Sequence, residues 1–152
     1  MLGVFKVLNT RERRHFIEEL NTQYNLNSLN IDYGFLQDRE NRIFLISKDV
    51  DKIDLRNLRI NSMGLYFGKI EKDGIRLSIE GTQLIGKNSS KNIIELNKEQ
   101  VKEWFRGNSI DFQGNYYGYV ILKHNDDYLG SGRFKENKIL NYIPKERRIK
   151  VD

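Results

Sequence analysis

Three apolar segments near the carboxyl end of the chain are joined by short polar turns. The first runs from Gly118 to Lys123 and is followed by the turn His124–Asp127. The second runs from Tyr128 to Lys135, and the turn Glu136–Asn137 leads to the third. Connections this short pair neighbouring strands as hairpins, whereas a parallel crossover needs about a dozen residues or more. This stretch, which ends at Arg148, therefore predicts a compact antiparallel unit.

The composition indicates a polar, mildly basic chain of one medium domain or two small ones. It has 152 residues, 38% of them hydrophobic, a net charge of +5 and a pI near 9.3. A chain of this length buries about two-thirds of its unfolded surface, so it can form a core without disulfides. The charges are spread along the chain, so a phosphate-binding surface has to be built by folding.

Several classes of site are excluded or not expected. There is no cysteine, which excludes disulfides, thiolate metal ligands and a cysteine nucleophile. His15 and His124 are the only imidazoles, so we expect neither a metal site nor a cofactor. No apolar run approaches the roughly 20 residues that a membrane-spanning helix needs, and the first ten residues do not read as a signal peptide. We expect a cytoplasmic protein without membrane contact.

The first 86 residues predict a small α+β unit. Asn9 or Thr10 is suited to begin a helix in which Phe16, Ile17, Leu20 and Tyr24 recur at helical spacing. The remaining segments are short and apolar, with polar turns between them, as is typical of strands. We expect strands at Leu2–Leu8, Tyr33–Leu36, Arg42–Ile46, Leu58–Ser62, Leu65–Glu71 and Ile75–Glu80, and a short helix at Asp49–Asn57.

The most polar and turn-rich stretch, Gly86–Asn92, predicts a domain boundary. We expect a small α+β domain over residues 1–88 and a second domain over residues 89–152.

The second domain is expected to hold one short helix among strands. Ile93–Leu96 predicts the first strand, and Asn97 with Gln100 three residues later predicts a helix that begins with a capping box. The helix buries Trp104 and stops at Gly107. Strands around one helix in about 60 residues predict a small closed or partly closed barrel, so the overall fold class is α+β.

Two glycines, Gly130 and Gly132, interrupt the strand that ends at Lys135. Glycine weakens a strand interior and is tolerated where a barrel bends sharply or where another backbone comes close. The sequence leaves both explanations open, and the second includes the close approach of an RNA strand.

The strongest local signal for binding is the segment from Asn141 to Arg148. Pro144 favours an extended Ile143, and three cations follow within four residues. Arginine suits bidentate phosphate contact, Tyr142 offers a face for base stacking, and an asparagine amide can read a base edge. Taken alone, the segment also fits an edge strand kept soluble by charge.

Catalysis has little support in the sequence. Gly130-Ser131-Gly132 is not a dinucleotide fingerprint, since no third glycine and no helix follow, and a phosphate-binding Gly-Lys-Ser/Thr loop is absent. The neighbouring carboxyl groups of Asp126 and Asp127 fit a turn better than an acid–base pair. We therefore expect that the protein is not an enzyme.

The segments described above resemble a known family. Gly118–Leu122, Leu129–Arg133 and Leu140–Arg148 are similar to the C-terminal PUA-type RNA-binding domain of Sun-type RNA 5-methylcytosine methyltransferases. That domain typically closes with Leu-Gly-x-Gly-Lys, a short turn and Asn-x-Tyr-Pro-Lys-x-Leu-Arg. The resemblance covers residues 93–150, and Asn61–Gly68 also resembles the stretch that precedes the domain in such proteins.

Departures from the family limit what the resemblance implies. The closing motif is spread over Asn141–Pro144, and Arg133 stands where the family has lysine. The family's cofactor loop and its catalytic cysteine are missing, so methylation is not implied. The resemblance implies a stand-alone, two-domain PUA protein with a pseudo-barrel of about six strands that grips structured RNA such as tRNA or rRNA.

Two functions of different classes remain open. The first is a non-enzymatic RNA-binding protein in RNA modification or ribosome biogenesis, with an RNA-modifying enzyme or an assembly factor as a further partner. Its predicted RNA-binding residues are Lys98, Lys102, Arg106, Arg133, Lys135, Asn141, Tyr142, Lys145, Arg147 and Arg148. The alternative is a protein-interaction adaptor or assembly factor, with aromatic anchors at Trp104, Tyr116, Tyr117 and Tyr119.

Overall fold

A computed structural model of the protein describes residues 5–26, 31, 33–46 and 64–149. The helix expected at Asp49–Asn57 and the strand expected at Leu58–Ser62 lie outside these residues. The described strands form two five-stranded sheets. The strands are β1 (Lys6–Val7), β2 (Gly34–Gln37), β3 (Arg42–Ile46), β4 (Leu65–Glu71), β5 (Gly74–Leu77), β6 (Ile93–Glu95), β7 (Ile110–Asp111), β8 (Gly118–His124), β9 (Asp127–Lys135) and β10 (Lys138–Asn141), and the α-helices are α1 (Thr10–Tyr24), α2 (Ile79–Ile85) and α3 (Lys98–Phe105).

The first sheet is antiparallel throughout, in the order β1-β2-β3-β4-β5, and α1 packs on one of its faces. The predicted helix is present, and of its two candidate caps Asn9 is the one that caps α1 and forms a capping box with Glu12. Phe16 and Leu20 line the buried stripe of this helix. At the far end, the Tyr24 hydroxyl donates to the carbonyl of Ile75 at 2.7 Å, which anchors the last turn of α1 on β5.

The strand predicted at Ile75–Glu80 is correct only in its first part. The strand β5 ends at Leu77, and Ser78 begins α2 by accepting a hydrogen bond from the amide of Gly81 at 2.9 Å. The alternation of apolar residues therefore continues from the end of the strand into the start of the helix, with no change in spacing at the boundary. A serine cap followed by an acidic first turn is a helix signal, which here competed with the period of two.

The second sheet has the order β6-β8-β9-β10-β7, with β6 parallel to β8 and the other pairs antiparallel. It contains the antiparallel unit predicted between Gly118 and Arg148. The α+β fold class is confirmed. In the described residues this sheet has five strands, whereas the resemblance implied about six.

Trp104 is the centre of the second core. It is fully buried on the inner side of α3, and its indole N–H donates to the carbonyl of Leu129 at 3.1 Å. Val120 and Leu122 of β8 pack in the same cluster, together with Phe134 of β9. The predicted capping box between Asn97 and Gln100 is also present, so the start of α3 is confirmed.

The two sheets are packed together through β8 and β9. Ile121 points away from the second core and packs into the first, as the alternation of side chains along a strand requires. The Ser131 hydroxyl donates to the carbonyl of Leu77 at 2.6 Å, and the Gly130 amide donates to the Thr82 hydroxyl at 3.0 Å. The second sheet thus lies between α3 and the first sheet. The division into domains of residues 1–88 and 89–152 stays a prediction.

Candidate nucleic-acid interface

Three predicted cations form a row along α3. Lys98, Lys102 and Arg106 are spaced by four residues, so they lie one above another on the same side of the helix, and all three are exposed. Trp104 occupies the opposite, buried side. From Lys98 to Arg106 the row extends about 12 Å, at about 1.5 Å of rise per residue. The structure therefore brings these three together, as the binding surface predicted from sequence requires.

The row is only weakly neutralised. Lys102 lies 3.7 Å from a Glu99 carboxylate oxygen, and Arg106 lies 3.1 Å from Glu103, both within one turn of the same helix. Exposed pairs of this kind contribute little, typically about 0.3–0.5 kcal/mol. A phosphate can replace such a carboxylate at small cost. Lys98 has no carboxylate within ion-pair distance among the described residues.

Arg148 is a fourth cation, which lies at the carboxyl end of α3. Gly107 has a φ of 92°, and a side chain there would stand 2.6 Å from the Cδ and Nε atoms of Arg148. The glycine therefore leaves the space in which the arginine lies. The Nε–H of Arg148 donates to the Ile143 carbonyl at 3.0 Å, and the Ile149 amide donates to the Phe105 carbonyl at 2.6 Å. These bonds hold the terminal segment against the end of the helix.

Asn141 has a structural role in this region. Its amide nitrogen donates to the carbonyl of Trp104 at 2.7 Å and to that of Asn108 at 2.9 Å. Its side-chain oxygen accepts from the amide of Ile143 at 2.8 Å. The side chain thus joins the last turn of α3 to the turn that follows it. Its amide and oxygen are engaged in these bonds, which leaves little to read a base edge.

Arg133 and Arg147 connect the second sheet and its terminal segment to the first half of the chain. Arg133 pairs with Asp73 at the tip of the β4–β5 hairpin, at 2.7 Å. Arg147 places one nitrogen 2.8 and 2.6 Å from the two carboxylate oxygens of Glu80 in α2. The structure therefore does not bring these two arginines into the row on α3. Their use in RNA binding stays a prediction.

Tyr142 packs inside the same junction. Its ring centroid lies 6.1 Å from that of Tyr119, and the Arg76 guanidinium lies 4.5 Å over its ring. Burial raises the pKa of Tyr119, and the carboxylates of Glu71 and Asp73 raise it further, so the hydroxyl stays protonated and faces Glu71 at 3.4 Å. One face of Tyr142 is thus covered by an arginine and is closed to a base.

Lys135 and Lys145 are exposed at separate places. Lys135 ends β9 at the turn to β10, and Lys145 begins a short 3-10 turn, Lys145–Arg147, after Pro144. In the described ranges neither has a carboxylate within ion-pair distance. Both charges are therefore open to an anion.

The two strand glycines make room for the protein's own side chains. A side chain at Gly132 would stand 2.6 Å from an Ile139 methyl and 2.9 Å from the Trp104 ring, and one at Gly130 would stand 3.1 Å from Ile79. The space beside Gly132 is filled by the packed core, so the close neighbour of this glycine is the protein itself and not an RNA strand. Gly130 has a φ of 111°, which residues with a side chain rarely adopt.

The aromatic anchors of the adaptor hypothesis are mostly internal. Trp104 is 0% exposed and Tyr119 is 3% exposed. Tyr116 is half-buried, with its ring against Phe134 at 5.4 Å. Tyr117 alone of the four is largely in solvent, at 81%. A protein-docking face built on all four residues is therefore not present.

The described part of the chain contains no group of three or more His, Cys, Asp or Glu side chains that could hold a metal ion. Within the described ranges, every helix is too short or too polar to span a bilayer.

Comparison with known proteins identifies the region that carries the α3 row. Residues 91–149 match the family model described as the methyltransferase RsmF PUA domain. These residues form a PUA-like domain. The resemblance seen in residues 93–150 is thereby confirmed.

The chain is also similar to curated proteins named ribosomal RNA small subunit methyltransferase F. The protein from Vibrio cholerae is 28% identical over 109 residues, which cover 71% of this chain and 23% of that protein. That from Vibrio parahaemolyticus is 27% identical over 141 residues, covering 85% and 28%. That from Aliivibrio salmonicida is 24% identical over 142 residues, covering 93% and 29%. The chain, with its PUA-like domain, thus spans about a quarter of the length of these relatives.

One part of the surface of the PUA-like domain was missed from sequence. The Gly107–Asn108 turn holds Arg148 and Asn141 at the end of α3. In the sequence, Gly107 predicts only the end of the helix. Glycine also lets another group approach the backbone closely, and that property is the signal that could have indicated this contact.

Proposed function

We propose that the protein binds structured RNA, either tRNA or rRNA, through the PUA-like domain and without catalysing a reaction. The observation that carries this proposal is the row of Lys98, Lys102 and Arg106 on the exposed side of α3, with Arg148 at the carboxyl end of the helix. Four cations on a rigid helix and its fixed end can contact successive phosphates of one backbone. Such contacts provide affinity and orientation rather than sequence recognition.

The proposed role is in the modification of rRNA or in ribosome biogenesis in the cytoplasm. It is supported by the relatives, which are named as rRNA methyltransferases, and by the family of residues 91–149. In that role the protein presents the RNA to an enzyme or assembly factor that acts in trans.

Filter binding to tRNA and to rRNA fragments over a series of salt concentrations tests the proposal. The double substitution Lys102→Ala and Arg106→Ala keeps good helix formers and removes two charges. A charge-assisted bond contributes about 1.5 kcal/mol, so we expect affinity to fall at least about tenfold. The slope of log K against log salt should decrease by about one for each phosphate that the variant no longer neutralises.

Arg39→Ala is the matched control, because Arg39 is exposed on the turn between β2 and β3 and has no ion pair in the described residues. It should leave the affinity and the salt slope close to those of the unaltered protein. Equal effects of Arg39→Ala and the α3 double variant would contradict the assigned surface. No binding of either RNA by the unaltered protein at low salt would contradict the function.

A further inference from the structure

An open groove of about 830 Å³ runs along the junction of the two sheets. Its walls are the exposed side of α1, the tip of the β4–β5 hairpin and the segment that leads into β8. Two hydrogen bonds connect these walls. The Asn92 amide donates to the Gln23 carbonyl at 2.7 Å, and the Tyr119 hydroxyl donates to Glu71 at 3.4 Å.

One wall of the groove presents an unburied aromatic ring. Tyr116 is fixed from behind, because its ring packs edge-on against Phe134 and lies 6.3 Å from Phe112. The next residue, Tyr117, is 81% exposed and lines the groove. An aromatic side chain left in water forgoes a large gain from burial. Tyr117 directly follows the anchored Tyr116 in the chain, so its backbone is restrained. Its exposed ring can therefore stack on a ligand with little loss of backbone freedom.

Two of the four carboxylates that line the groove, both on the hairpin wall, are paired with cations. Asp73 is held by Arg133 at 2.7 Å. Glu71 lies 3.6 Å from the Lys69 ammonium and 3.7 Å from the Arg76 guanidinium. These internal pairs largely cancel the negative charge of the hairpin wall.

Two cations of the groove remain open. Lys72 at the hairpin tip and Lys91 line the groove, and neither has a carboxylate within ion-pair distance among the described residues. Lys91 makes one long contact, 3.5 Å, to the carbonyl of Thr22. On the opposite side, Glu19 lies 2.8 Å from the imidazole of His15, which is charged only when protonated, and Glu18 has no ion-pair partner in the described ranges. The groove thus combines two free cations with an exposed aromatic ring.

We infer that this groove binds a single-stranded segment of the RNA, with one base stacked on Tyr117 and phosphates held by Lys72 and Lys91. Proteins that hold single strands use this combination, because every base has a stacking face and every nucleotide carries a phosphate. The inference rests on the proposed function for the source of the RNA. It adds that the RNA must have an unpaired segment beside its structured part.

The test compares two RNAs in the same binding assay. One is a blunt hairpin, and the other is the same hairpin with a single-stranded extension of about six adenosines, within known site sizes for single strands. The unaltered protein should bind the extended hairpin about tenfold more tightly. Tyr117→Ala should remove this gain and leave the blunt hairpin unaffected. Tyr117→Phe keeps the ring and should retain the gain.

Substitutions of the two groove lysines and of Glu18 provide a second, independent test. Lys72→Ala with Lys91→Ala should lower the salt slope for the extended hairpin by about two and leave the slope for the blunt one unchanged. Glu18→Gln should tighten binding of the extended hairpin only. A gain that survives Tyr117→Ala, or equal binding of the two RNAs, overturns the groove inference and leaves the proposed function standing. If neither RNA binds at low salt, both are overturned.

Discussion

At the end of α3 the guanidinium of Arg148 occupies the space that a side chain at residue 107 would fill. Gly107 has a φ of 92°, which residues with a side chain rarely adopt. The same residue therefore ends the helix and places a cation at its carboxyl end. That position is favourable, because the helix dipole carries partial negative charge there. One glycine thus links the local backbone to the phosphate-binding surface.

Gly107→Ala tests this link at the scale of one residue. Alanine would be strained at this φ, and its Cβ would displace the Arg148 side chain. We expect a loss of about 1–3 kcal/mol in the free energy of unfolding. Affinity for RNA should fall as well. Urea unfolding and filter binding measure the two effects.

Arg148→Ala supplies the control for that experiment. If Gly107→Ala weakens binding by displacing Arg148, adding it to the Arg148→Ala protein should not lower affinity further. An additional loss of binding in the double variant would show that the glycine acts by another route.

Residue type and spacing could predict the row on α3 but not the partners of the other cations. Lys98, Lys102 and Arg106 follow from helical periodicity, which is local in sequence. Arg133 and Arg147 are chemically as suitable, but each meets a carboxylate more than 50 positions away in the sequence. Such pairs depend on how the two sheets dock. No local pattern contains that information.

At the scale of elements, the sequence signals that correctly predicted structure were local ones, such as a helix cap in which two nearby groups form hydrogen bonds with each other. Asn9, one of two candidate caps, begins α1, and the capping box predicted at Asn97 begins α3. The hairpin turns around β9 also form where the polar residues stand. The helix α2 was missed because its apolar residues continue the alternation of β5. Only the cap at Ser78 marked the change.

Ser78→Ala measures how much that cap contributes. The hydroxyl accepts from the Gly81 amide at 2.9 Å and lies 2.6 Å from the Tyr66 carbonyl, to which it can donate. We expect a loss of about 1–2 kcal/mol in stability, measured by the urea midpoint at constant slope. Ser78→Thr retains the hydroxyl and should cost less. A loss below about 0.5 kcal/mol for alanine would mean that α2 is held by packing alone.

At the scale of the whole molecule, the second sheet is part of two interfaces. One side of β8 packs under α3, and the other side packs into the first core through Ile121. Arg133 and Arg147 add ion pairs across the same junction. The docked arrangement also forms the groove at Tyr117. Any change that loosens the junction should therefore affect both stability and the binding of an unpaired RNA segment.

A charge-reversal cycle on Asp73 and Arg133 tests this coupling. Asp73→Arg or Arg133→Asp alone places like charges together at the junction, and each should lower the midpoint of thermal unfolding. The double reversal restores an opposite pair and should recover about 1 kcal/mol relative to the sum of the single effects. It should also recover the tighter binding of the extended hairpin.

The exposed pair Lys138–Asp111, 2.9 Å apart on the second sheet, is the matched control and should show almost no coupling. Because the control has the same kind of contact but joins neighbouring strands, equal coupling in both cycles would mean that the junction pair does not help to dock the two sheets.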